Sequence, residues 1–143
     1  MPYEGEEPPY VERPRLEPDP ELDELTGAVI GAAIEVHRQL GPGLDEKLYE
    51  SGMCVEFRLR KIPFARQLIV PVTYKGEVIG EKRLDLIVGN RIIVEIKAVE
   101  ALTALHKAQL HTYLKIMRFK LGLLINFNCP VLKDGIKRVI NPI

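Results

Sequence analysis

Two short breaks, Lys75-Gly76 and Gly89-Asn90, divide the middle of this 143-residue chain into three β-rich runs, Leu68 to Tyr74, Val78 to Val88 and Arg91 to Val99. Glycine-containing breaks this short join antiparallel neighbours, so the runs are expected to form a three-stranded meander. On either side of it the apolar spacing changes to that of helices. Leu22, Leu25, Val29, Ala33, Val36 and Leu40 define a first helix, stopped by Gly41-Pro42-Gly43. Leu44, Leu48, Cys54, Val55 and Leu59 predict a second from about Asp45 to Arg60, with Asp45 and Glu46 near the positive end of its dipole. A third is expected from roughly Ala101 to Met117, with Leu102, Leu105, Leu110, Leu114 and Met117 inward. Two further strands follow at Gly122 to Phe127 and Ile136 to Ile140. The order ααβββαββ assigns the chain to the α/β (α+β) class.

A chain of this length, 46% hydrophobic, builds one domain with a real core and has no room for a second. The first twenty residues hold six of the eleven prolines and six acids against two arginines. Residues 1–20 are therefore expected to be a disordered, acidic, proline-rich tail and 21–143 the folded domain. Outside that tail the basic residues outnumber the acidic ones by 18 to 14, although the whole chain balances at 20 each. Such a body touches nucleic acid only through local patches. No apolar run reaches the roughly eighteen residues of a membrane span, and the N-terminus is acidic rather than basic and then apolar, so a cytoplasmic protein is expected. Cys54 and Cys129 form no CxxC pair and have no histidine at ligand spacing, which makes them reduced structural cysteines. The chain also lacks a glycine-rich phosphate loop, a GxSxG elbow and any internal repeat.

Within the meander, Asp85, Glu95 and Lys97 read as D-x9-E-x-K. Two carboxylates on adjacent strands supply the hard oxygens that Mg²⁺ prefers, and a lysine two residues on, on the same strand face, can orient or deprotonate a water. Two ordinary strands with solvent-facing charges give the same string. Register separates the readings. If Gly89-Asn90 is a strict two-residue hairpin, Val88 pairs with Arg91, and Asp85 and Glu95 fall on opposite faces. An odd-length loop or one bulge pairs Asp85 with Glu95 or Ile93 and puts Asp85, Glu95 and Lys97 on one face.

Other polar residues fall at matching helical spacings. Glu46 and Tyr49 are three apart on the second helix; His106, Gln109 and Tyr113 share one face of the third. Taken singly, Glu46 is an N-terminal helix charge, Tyr49 a core-edge aromatic, and Gln109 with Tyr113 a solvated face. His37, at the edge of an apolar stripe, is expected to be satisfied by a carbonyl.

Gly43-Leu-Asp-Glu46-Lys-Leu-Tyr49 reads as GxxExxY. Together with Val36-His37, Gly41-Pro42-Gly43-Leu44, Arg83-Leu-Asp85, Val94-Glu95-Ile96-Lys97, Gln109-x3-Tyr113 and Ile125-Asn126-Phe127, it resembles the GxxExxY family, which is assigned to the PD-(D/E)XK nuclease superfamily. The resemblance runs from about Leu22 to Asn141. It implies a restriction-endonuclease-like core, a mixed β-sheet flanked by helices. It also implies that Asp85, Glu95 and the main-chain carbonyl of Ile96 bind the metal, Mg²⁺ with Mn²⁺ able to substitute. Lys97 would serve the attacking water, and Glu46 would be the helix-borne acid that completes or supports the site. Gln109 and Tyr113 resemble the QxxxY helix of RecB-like nucleases, which lies beside the active site and near the nucleic acid; with Tyr49 they are assigned to positioning the substrate. DNA is thereby favoured over RNA.

Three functions follow as expectations. The first is Mg²⁺-dependent hydrolysis of phosphodiester bonds in DNA. The second is a catalytically silent nucleic-acid-binding or regulatory module with the same fold. The third is a scaffold whose acidic tail recruits a partner, or an enzyme acting on another phosphate compound. A homodimer would let so compact a core span a duplex.

Overall fold

The computed structural model describes residues 17–142. Helix α1 (Pro20–Leu40) is followed by α2 (Glu46–Leu59), the meander β1 (Phe64–Tyr74), β2 (Glu77–Val88) and β3 (Ile92–Lys97), then α3 (Ala104–Met117), β4 (Leu121–Asn126), a 3₁₀ turn (Leu132–Gly135) and β5 (Ile136–Ile140). The expected order ααβββαββ is the observed one. Most of the acidic tail lies outside the described residues. Asp19 and Pro20, read as tail, belong to the fold: Asp19 caps α1 by accepting from the Leu22 N–H, and its carboxylate also pairs with Arg91.

The five strands form one sheet in the order β1-β2-β3-β4-β5. All neighbours are antiparallel except β3 and β4, which run parallel and are joined through α3. Helices α1 and α2 pack on one face, where Val29, Val36, Met53 and Phe57 meet Leu86, Val94, Ile96 and Leu123. Helix α3 covers the other face through Leu110, Tyr113 and Leu114, against Leu84, Ile87, Ile93 and Leu124. A mixed sheet between helices is therefore the α+β architecture anticipated for the chain. Gly122 lets α3 come this close, because a Cβ there would stand 2.9 Å from Leu110. Among the described residues no helix is long and apolar enough to cross a membrane.

Three expectations are corrected. Strand β1 begins at Phe64, four residues before Leu68, because the polar Arg66 and Gln67 hide strand character in the sequence. Strand β3 ends at Lys97 and α3 starts at Ala104, since the Asn126 amide ties down the Val99 backbone and Thr103 caps the helix in a capping box with His106. With that start, Leu105 is 76% exposed rather than inward.

Candidate active site

Register at the β2–β3 turn decides where the carboxylates go. Lys75 and Gly76 both have positive φ and form a two-residue turn, with Tyr74 opposite Glu77. Gly89 and Asn90 also have positive φ, but Arg91 joins them in the loop, so Val88 pairs with Ile92. The loop is odd. Pairing continues through Leu86 and Val94, and the same register places Asp85 across from Glu95.

At that point the ladder opens and the two side chains take over its hydrogen bonds. The Asp85 backbone N–H donates to Glu95 Oε2 at 3.0 Å, and the Ile96 N–H donates to Asp85 Oδ2 at 2.8 Å. These bonds fix the orientation of both carboxylates through one oxygen each. The Lys97 carbonyl accepts from Phe127 on the β4 side, so the carbonyl of its neighbour Ile96 points, like the Ile96 N–H, into the opening beside Asp85. Two carboxylates and one main-chain oxygen thus meet where β2 parts from β3. Lys97 follows at the end of β3, two residues beyond Glu95 and on its side of the strand.

Helix α2 adds an acid that helical spacing alone does not single out. Glu50, only 5% exposed, lies one turn after Glu46 and turns toward the sheet, where it pairs with Arg66 and accepts from Gln67 Nε2 at 2.9 Å. The same Nε2 stands 3.4 Å from Asp85 Oδ1, so Gln67 links the α2 acid to the strand acid. The available signal was a glutamate on the face shared with Met53 and Phe57. Glu46, exposed, accepts weakly from the Ala98 N–H at 3.3 Å, which puts it beside the end of β3.

Burial and mutual repulsion dominate the electrostatics. Glu95, 7% exposed, is pushed up to about 8, first by desolvation and then by the charge of Asp85. Asp85 is raised as well, by burial and by the charges of Glu50 and Glu46, with Lys97 pulling the other way. Tyr113 is raised by burial and by both acids, so the phenol of α3 senses the pair. The cluster holds more negative charge than its cations offset, and its donors are all hard oxygens. That combination fits a divalent cation such as Mg²⁺ or Mn²⁺.

The remaining candidates separate. Gln109 is exposed, one turn before Tyr113 on the same face of α3. Tyr49 is fully buried: its hydroxyl donates to the Gly41 carbonyl and accepts from the Leu44 N–H, and its ring stacks on Phe127 at 4.5 Å. It shapes the loop before α2 instead of presenting a group to a ligand. His37 Nε2 lies 2.8 Å from the Cys129 carbonyl, as its sequence position suggested.

Comparison with known proteins bears on the family and the fold. The model of the PD-(D/E)XK nuclease superfamily matches residues 23–139. The crystal structure of SSO0001 aligns at 20% identity with a TM-score of 0.50, covering 68% of this chain and 50% of that one, a likeness of fold. This chain therefore spans half the length of that structure. No curated protein matches it.

Proposed function

Because the chain belongs to the PD-(D/E)XK nuclease superfamily, we propose that it is a divalent-metal-dependent nuclease hydrolysing phosphodiester bonds in DNA. Within the superfamily we place it in the GxxExxY group, on Gly43, Glu46 and Tyr49 and the motifs that follow them. The observation that carries the activity is the opening of the sheet at Asp85 and Glu95, where an odd loop turns both carboxylates and the Ile96 carbonyl to one place.

Asp85, Glu95 and the Ile96 carbonyl would hold the cation, with Mg²⁺ the preferred ion and Mn²⁺ a substitute. Among the described residues no three His, Cys, Asp or Glu side chains stand together as metal ligands, so main-chain and water oxygens would complete the sphere. When bound, the cation supplies an activated water at neutral pH and offsets charge growing on the phosphate. The protein residues do the rest. The two backbone N–H donors hold the carboxylates in place before the ion arrives, which is the preorganisation such a site needs. Lys97 is the positive charge that both carboxylates sense, and it would serve the attacking water. Glu46 flanks the end of β3, Tyr113 on α3 feels the charge of both acids, and Gln109, exposed one turn before it, would steer the DNA backbone with it.

The test is a titration of Mg²⁺ and Mn²⁺ with single-stranded, duplex and branched DNA. Cleavage that requires the metal and disappears in Lys97→Ala supports the proposal. Metal-independent binding without cleavage of any of the three would favour the silent nucleic-acid-binding module.

A further inference from the structure

Gln67 combines two features that the nuclease reading does not use. Its backbone is left-handed, with φ of 53°, a conformation that a glutamine rarely adopts. It also interrupts the β1–β2 ladder: Arg66 pairs with Leu86 and Leu68 with Leu84, leaving Gln67 alone opposite Asp85. The side-chain alternation of β2 changes at the same place, since Leu84 packs toward α3 and Leu86 toward α1 and α2. Left-handed backbone at a non-glycine residue inside a strand persists only where surrounding contacts hold it. Here those contacts belong to the site: Nε2 lies 2.9 Å from Glu50 Oε1 and 3.4 Å from Asp85 Oδ1, while Arg66 grips the other oxygen of Glu50.

We propose that Gln67 is a positioning residue, whose irregular backbone swings its amide between Glu50 and Asp85 and so sets the angle at which Asp85 meets the cation. The inference rests on the nuclease reading of the same carboxylates. Without the amide, Asp85 keeps its bond to the Ile96 N–H but has no donor on its second oxygen. A carboxylate held on one side only can pivot, and misplacement by about 1 Å lowers turnover on the order of a hundredfold.

Two substitutions separate this role from a purely structural one. Gln67→Gly and Gln67→Asn both accept the left-handed backbone, but glycine has no amide and asparagine is one methylene too short to span both acids. Wild type and both variants are melted with EDTA and with Mn²⁺, and assayed for DNA cleavage over a range of substrate concentrations. The proposal expects cooperative melting in EDTA for all three. It also expects the Mn²⁺-induced rise in Tm to shrink by about half or more in both variants, with kcat down roughly tenfold or more and KM within about twofold. If both variants match wild type in Mn²⁺-induced stabilisation and in kcat, Gln67 only shapes the break in the ladder and the inference is wrong while the nuclease reading survives. If wild type itself gains no stability from Mn²⁺ and cleaves nothing, both fall.

Discussion

At the scale of single residues, Glu95 carries the sharpest prediction. Its carboxyl is raised from an ordinary value of 4.5 to about 8 because it is buried beside Asp85. Without metal the folded protein therefore holds a proton that the unfolded chain releases at lower pH. Stability is greatest below about pH 4.5 as far as this group is concerned, and it is lost as pH rises toward 8, by on the order of a few kcal/mol. Glu95→Gln should flatten that decline and melt higher than wild type at pH 8 in EDTA, while abolishing metal-dependent cleavage. Urea titrations at pH 5, 6.5 and 8 check it; a wild-type protein whose stability climbs from pH 5 to 8 would contradict the assignment. Asp85, Glu95 and Lys97 were legible in the sequence because strand alternation and an odd loop suffice to gather them. Glu50 and Gln67 were not, since their roles depend on how α2 lies over the sheet and on a left-handed break in the β1–β2 ladder for which no local residue pattern is diagnostic.

Among the elements, the helices and the antiparallel meander were legible from periodicity and from the two glycine breaks. Their ends were less so. The N-terminal half of β1 carries Arg66 and Gln67 where a regular strand shows apolar alternation, and α3 starts late because Asn126, a residue distant in sequence, holds the Val99 backbone. The packing of α3 on the sheet gives a prediction of its own. Gly122→Ala would push a methyl to 2.9 Å from Leu110, forcing α3 away from β4, at a cost of about 1–3 kcal/mol. Because α3 also carries Tyr113 beside the acids, cleavage should weaken with stability. Combining the change with Leu110→Ala should recover part of both, a non-additivity visible in a double-mutant cycle of denaturant melts. Strictly additive losses would show that α3 does not rest on Gly122.

For the whole molecule, the balanced net charge conceals the local distribution that matters to a polyanion. Lys107 and Lys115 are exposed on the helix bearing Tyr113, and Arg118 ends it in a left-handed cap. Replacing Lys107, Lys115 and Arg118 with alanine should weaken DNA binding and make its salt dependence shallower, by about one unit of slope for each phosphate no longer neutralised, while largely sparing the rate of the bound complex. Unchanged affinity and slope across a salt series would send the DNA over a different surface. The central claim, that the opening between β2 and β3 is a cation site, is tested most directly by an anomalous difference map from crystals grown with Mn²⁺. A peak is predicted at the opening, contacted by carboxylate oxygens of Asp85 and Glu95 and by the Ile96 carbonyl, and absent in Asp85→Ala crystals. A map from fully equilibrated wild-type crystals with no peak there, or with Mn²⁺ bound elsewhere on the molecule, would contradict it.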